Sequence, residues 1–169
     1  EVCLNCIESS LQHSSSLPSS SWSPIEATLN CVLALGECGI IGTSTKANSE
    51  AHLNRIILQL HSSSIGSSSQ HAQVRLRYFE IASRFTRILR SDGSQIDQAR
   101  LMVVNMMLSN GGFGCIEGNG SVKARTIYLF LKFVEGLEGK CAGLLHPVMQ
   151  KISGVCVYIV YSSVVYSSV

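Results

Sequence analysis

The sequence is poor in charge, proline and aromatic residues. Only 14% of its 169 residues are charged, 7% are aromatic and three are proline, whereas about a quarter of the residues of an ordinary soluble domain are charged. The net charge is +2, and 46% of the residues are hydrophobic. These values exclude a disordered or acidic chain, because such chains do not bury enough apolar surface to offset the entropy of folding.

Long hydrophobic runs are also missing. The longest unbroken apolar run, Val155–Tyr161, is far shorter than the roughly 18 residues of a membrane-spanning helix, so we expect no membrane segment. The first residue is Glu1 rather than Met, and no basic-then-apolar leader follows it. We therefore expect a fragment or a processed product. Seven cysteines, an odd number, are scattered through apolar helical patterns, which is typical of reduced intracellular proteins.

Patterns for metal binding and catalysis are weak. Cys3 and Cys6 form one CxxC pair, which His13 or the Cys31 and Cys38 pair would have to complete as a zinc site. Because no second pair has the compact spacing of a structural zinc site, we expect no metal. The chain also lacks a Gly-x-Ser-x-Gly elbow and a phosphate-loop spacing. We predict no catalytic residues, no cofactor and no enzymatic activity.

The serine-rich segments and the spacing of apolar residues define the domain organisation along the chain. The 27 serines concentrate in a serine-rich N-terminal segment at 1–22, a linker at 62–70 and a low-complexity, β-prone tail at 154–169. Between them, apolar residues at spacings of three and four predict helices that begin near residues 23, 49, 71, 94, 121 and 141. The strongest pattern predicts one helix over about 71–90.

Taken in pairs, these helices repeat roughly every 45 to 50 residues, close to the ~40–47 of HEAT and armadillo arrays. We predict an all-α fold, an antiparallel helix-pair (HEAT-like) α-solenoid fragment over 23–153. A four- to six-helix bundle has the same local patterns and stays open as an alternative.

Basic residues give the clearest functional signal. The predicted helix at 71–90 carries five arginines, and Lys123 and Arg125 lie in the first turns of the helix that begins near 121. Positive charge opposes the helix dipole there, at a cost of about 0.3–1 kcal/mol. Either Glu117 or an anionic ligand compensates it, and a solvated helix face is the plainer interpretation for the arginine helix.

Two of these blocks resemble the exportin-T family, the tRNA export receptors among the importin-β proteins. They are Val74–Phe85, VRLRYFEIASRF, and the more specific Val122–Val134, VKARTIYLFLKFV. The resemblance covers roughly 70–153. The chain departs from the family pattern at the glycine-rich loop 110–120, which has no basic residue, whereas the family pattern leads us to expect a partly basic link there.

The resemblance implies a HEAT-repeat receptor that shuttles between nucleus and cytoplasm. Its partners would be tRNA, the small GTPase Ran in its GTP form and the nucleoporins of the nuclear pore. Such a solenoid recognises tRNA by shape and phosphate. On this basis we expect RNA contacts from Arg55, Arg100 and Lys151 on the second helix of each pair, and from Lys123 and Arg125 at a loop edge. A protein-binding helical-repeat scaffold of the importin-β or armadillo type, with no RNA role, is the competing hypothesis.

Overall fold

The computed structural model describes residues 2–14, 22–37, 46–61, 63, 65–66, 70–108 and 120–140. Within these ranges the chain is helical and has no strand, which confirms the predicted all-α fold. In the described part of the chain, a short 3₁₀ helix at Thr86–Arg90 accompanies six α-helices. The α-helices are α1 Val2–Ser14, α2 Trp22–Glu37, α3 Lys46–His61, α4 Ala72–Arg84, α5 Ser94–Leu108 and α6 Gly120–Gly136.

The helices form two layers. In the odd layer α3 packs against both α1 and α5, and in the even layer α4 packs against both α2 and α6. Contacts of α1 with α2, and of α5 with α4 and α6, join the layers. This is the arrangement of a helical-repeat protein, in which each helix pair buries its apolar face against its neighbours.

The core follows from the apolar spacing. On α4, the side chains of Val74, Tyr78 and Ile81 are fully buried, because positions three or four apart share one face of a helix. Phe133 and Leu137 are equally buried at the C-terminal end of α6 and just beyond it. All of these residues belong to one core cluster, and α4 packs closely on α6. That pairing positions the site described below.

The single helix predicted over 71–90 is wrong, because the structure divides it at Phe85. The backbone of Phe85 leaves the helical region with φ −101° and ψ 27°, and the 3₁₀ helix begins at the next residue. The Phe85 ring lies so close to Gly36 of α2 that a Cβ on Gly36 would come within 2.0 Å of it. Packing of this ring against the neighbouring helix accompanies the break, and periodicity along one helix gives no signal of it.

The helical region begins earlier than expected. Residues 2–14, within the predicted serine-rich segment, form α1, and its Leu4, Ile7 and Leu11 are buried in the common core. In the predicted linker, Ile65 packs against the core, and a Cβ on Gly66 would lie 2.6 Å from the Tyr78 ring. The expected helix near 141, the tail at 154–169 and most of the glycine-rich loop lie outside the described residues.

Candidate RNA-binding surface

A buried glutamate gathers three arginines between α4 and α6. Glu80 Oε2 lies 2.9 Å from Arg77 Nη1, and Glu80 Oε1 lies 3.0 Å from Arg84 Nη2 and 3.4 Å from Arg125 Nη2. The glutamate is only 8% exposed, whereas the three arginine side chains are between 38% and 49% exposed. The carboxylate is thus inside the protein, and the guanidinium groups stand at its surface. We call these four residues the Glu80 cluster.

Helix geometry explains why the cluster forms. Arg77 and Arg84 lie three residues before and four residues after Glu80, so all three share one face of α4. Arg125 comes from the neighbouring α6, 45 residues away in sequence. A buried carboxylate is costly unless it is paired, and the three guanidinium groups supply that pairing.

The charged contacts continue onto α2. Arg77 Nε lies 3.5 Å from Glu26 Oε1, so Glu26, Arg77, Glu80 and Arg125 form a chain of ion pairs across all three helices of the even layer. Arg84 joins this chain through Glu80, so three arginines and two glutamates meet on these helices.

An aromatic ring adjoins the cluster on α6. The guanidinium carbon of Arg125 lies 5.2 Å from the centroid of the Tyr128 ring, a cation–π contact. Tyr128 is 50% exposed. One turn further along α6, Lys132 Nζ lies 2.9 Å from Glu135 Oε2, and this contact raises the pKa of Lys132. The α6 surface therefore presents a ring between two cations.

The sequence-predicted residues do not share one surface. Arg55 is exposed on α3 in the odd layer, where its Nη2 lies 3.1 Å from Glu8 Oε2. A hydrogen bond with His52, together with Arg55, lowers the pKa of Glu8. Arg125 belongs to the Glu80 cluster on α6, and Lys123 is half-buried on the same helix. Lys151 lies outside the described residues.

The guanidinium group of Arg100 binds other groups of the protein. Arg100 is only 5% exposed; its Nη1 donates to the carbonyl oxygen of Leu89 at 3.2 Å, and its Nη2 pairs with Asp97. This guanidinium ties the 3₁₀ helix to α5. We therefore place Arg100 in the framework and leave it out of the proposed surface.

Two further ion pairs hold the end of α6. Arg90 Nε donates to the carbonyl oxygen of Gly136 at 2.6 Å, and Arg90 Nη1 lies 2.8 Å from Glu138 Oε1. Lys140 Nζ donates to Asp92 Oδ1 at 2.6 Å, which lowers the pKa of Asp92. These contacts anchor the C-terminal end of α6 on the 3₁₀ helix and the turn after it.

Sequence reasoning missed Glu80. It offered either Glu117 or an anionic ligand as compensation for Lys123 and Arg125. Glu117 lies outside the described residues, and the acid that meets Arg125 is on α4. A signal was available: Glu80 is the single acidic residue of α4 and has arginines at both i−3 and i+4. The contact of the third arginine, Arg125, with Glu80 depends on how α6 packs against α4. The spacing of residues along one helix gives no information about that packing.

The described residues allow a comparison with the requirements of metal sites and membrane spans. Among them, no group of three His, Cys, Asp or Glu side chains lies close enough to hold a metal ion. No helix in the described part of the chain has the length and hydrophobicity to cross a membrane. A groove of about 620 Å³ between α3 and α5 contains no nucleophile beside a base. Its lining residues are Ala51, Asn54, Arg55, Leu58, Gln59 and Gln95.

The two helical layers place the chain in the class of helical-repeat proteins. Comparison with protein families identifies it further: the model of the Exportin-T family matches residues 1–161. The chain therefore belongs to the Exportin-T family, whose members are transport receptors. The match confirms the resemblance and extends it beyond 70–153 in both directions. No curated protein and no solved structure matched the chain.

Proposed function

We propose that the chain is part of a nuclear export receptor that binds tRNA together with GTP-bound Ran. On this proposal it carries the RNA through the nuclear pore, with contacts to nucleoporins, and shuttles between nucleus and cytoplasm. Family membership supports the transport role. The Glu80 cluster is the observation that supports an RNA ligand.

The chemistry of the cluster suits phosphate. A guanidinium group has five N–H donors in a planar fork that matches phosphate oxygens, and it keeps its charge at any physiological pH. Because between 38% and 49% of each arginine side chain in the cluster is exposed, the arginines can meet a phosphate while the buried Glu80 pairs with them from inside the protein. The net charge of the chain is only +2, so we expect the cluster to contribute a few positioned contacts rather than strong nonspecific attraction.

We propose that the RNA backbone contacts the even layer through Arg77, Arg84 and Arg125, with Lys123 nearby on α6. Arg55 lies on the odd layer, where it pairs with Glu8, the same carboxylate that His52 contacts. Because the two layers present different surfaces, we expect one RNA segment to contact either the arginines of the even layer or Arg55 on the odd layer. The two possibilities differ in a measurable way.

The experiment is a titration of labelled tRNA with the protein over a series of salt concentrations, with and without Ran-GTP. For Arg125→Gln we expect weaker binding, and a slope of log Kd against log salt that falls by about 0.7–0.9 for the lost phosphate contact. Arg55→Gln is the matched control on the odd layer, and we expect it to keep the wild-type slope. A larger effect of Arg55→Gln would move the proposed surface to the odd layer.

Ran-GTP provides an independent test of the export role. Reciprocal coupling requires that Ran-GTP tighten tRNA binding by the same factor by which tRNA tightens Ran-GTP binding, typically 5- to 150-fold. A tRNA affinity that neither falls with salt nor rises with Ran-GTP would contradict the proposal. That result would favour a protein-binding scaffold.

A further inference from the structure

The exposed Tyr128 ring beside Arg125 points to a specific kind of RNA ligand. We propose that Arg125 and Tyr128 form a site for one unpaired nucleotide, with its base stacked on the Tyr128 ring and its phosphate beside the arginines of the Glu80 cluster. This inference rests on the proposed function and adds the ligand class: a looped or single-stranded segment of the RNA.

The first step of the argument is the fixed position of Arg125. Glu80 Oε1 lies 3.4 Å from Arg125 Nη2, and the Tyr128 centroid lies 5.2 Å from the guanidinium carbon. The guanidinium is therefore held between a buried carboxylate and an aromatic ring. A group held in this way loses little conformational freedom when it binds a phosphate.

The second step is the position of the ring between cations. Arg125 and Lys132 lie three residues before and four residues after Tyr128, so all three share one face of α6. Arg77 and Arg84 add positive charge next to Arg125. Because Glu135 pairs with Lys132, the charge that favours an anionic occupant over an apolar helix comes from the arginines of the Glu80 cluster. Leu131 and Ile127 are also exposed nearby.

The third step separates paired from unpaired RNA. In a duplex, each base is stacked between its neighbours and its face is not available to a side chain. An unpaired base stacks on an aromatic side chain whatever its identity, because every base has a π-face. The arginines alone would accept both kinds of RNA backbone, so any preference for unpaired RNA has to come from Tyr128.

The test compares three labelled probes: tRNA, a 12-nucleotide single-stranded RNA and a blunt duplex that contains the same strand. Tyr128→Ala should weaken binding of the single strand about tenfold and weaken tRNA binding, with less than a twofold effect on the duplex. Its salt slope should equal that of the wild type, because tyrosine contributes no charge. Tyr128→Phe keeps the π-face and should bind all three probes like the wild type.

Leu131→Ala is the matched control, since it removes an exposed apolar side chain one turn away on the same helix. We expect it to change each affinity less than twofold. Equal losses for single strand and duplex in Tyr128→Ala, or an equal loss in Leu131→Ala, would overturn the stacking site. So would unchanged binding of every probe by Tyr128→Ala.

The two proposals fail in different ways. If the wild-type protein binds tRNA with the expected salt and Ran-GTP dependence and Tyr128→Ala binds the single strand normally, only the nucleotide site is overturned. If the wild-type protein binds none of the three RNA probes, the proposed function fails and the site fails with it. A melting temperature close to that of the wild type for Tyr128→Ala shows that a changed affinity does not come from misfolding.

Discussion

The hydroxyl oxygen of Tyr78 lies 3.2 Å from Nδ1 of His61, and this contact joins α4 to α3 inside the core. Both side chains are fully buried, and their rings meet edge to face at 5.7 Å. Burial lowers the pKa of His61 to about 4 and raises the pKa of Tyr78. The pair is therefore neutral in the folded protein at physiological pH.

The first prediction concerns pH and follows from His61. Its pKa falls from 6.5 to about 4 on folding, so between these values the unfolded chain binds a proton that the folded chain does not. Stability should fall as the pH drops through this window, by about 2 kcal/mol between pH 7 and pH 5. Urea unfolding followed by circular dichroism at the two pH values measures the difference.

His61→Gln is the control for this effect, because glutamine does not titrate in the window. Its free energy of unfolding should be lower than that of the wild type at pH 7, yet change less between pH 7 and pH 5. An equally steep pH dependence in His61→Gln would assign the effect to other groups.

A second prediction compares a buried carboxylate with an exposed one. Glu80→Gln removes the charge that three arginines share and should destabilise the protein by about 1–2 kcal/mol. Glu135→Gln breaks the exposed pair with Lys132 and should cost less than about 0.5 kcal/mol, because solvent screens surface ion pairs. Chemical denaturation of the two variants gives the comparison, and equal costs would show that the Glu80 cluster adds no more than a surface pair.

Arg100 provides a third prediction. Arg100→Met keeps the apolar stem but removes the contacts with the Leu89 carbonyl and Asp97, so we expect a loss of about 1–3 kcal/mol in the free energy of unfolding. The salt slope of tRNA binding should match that of the wild type at a temperature where the variant is folded. A reduced slope with unchanged stability would return Arg100 to the RNA-binding residues.

The fourth prediction concerns the close approach of α6 to the 3₁₀ helix. A Cβ on Gly136 would lie 2.3 Å from Oγ1 and 2.8 Å from Cγ2 of the buried Thr86. Gly136→Ala should therefore destabilise the protein by about 1–2 kcal/mol, even though alanine is the better helix former.

Thr86→Ala removes both of those atoms and should recover part of the loss. The free energies of unfolding of the two single variants and the double variant form a double-mutant cycle. Strictly additive costs would contradict the proposed steric contact.

Periodicity predicted most of the helical positions, including α5 from Ser94 through Leu108, because apolar spacing reports which face a helix buries. It did not predict the break at Phe85, which accompanies contact with Gly36 on a different helix. It also missed α1 as part of the repeats, because its serines dominated the composition while Leu4, Ile7 and Leu11 formed a buried stripe beneath them.

The candidate site was predicted less completely than the fold. The sequence pattern indicated a solvated face for the arginines of α4, and the expected RNA contacts were at Lys123 and Arg125 and at Arg55, Arg100 and Lys151. Of these residues, Arg55 and Arg100 lie in the odd layer. Charge and spacing do not distinguish a buried arginine from an exposed one, since Arg100 and Arg125 have equally ordinary sequence surroundings. Tertiary packing decides which of them is available to a ligand.

The break at Phe85 has a consequence for how the arginine-rich segment is used. In an unbroken helix over 71–90, Arg84 and Arg90 would lie on one helix axis, and the helical repeat alone would set the directions of their side chains. Because the helix is interrupted at Phe85, the two arginines make different contacts. Arg84 pairs with Glu80, while Arg90 contacts Gly136 and Glu138 at the end of α6. The first half of the segment 71–90 thus contributes Arg84 to the candidate ligand surface, and its second half contributes Arg90, which holds the C-terminal end of α6 in place.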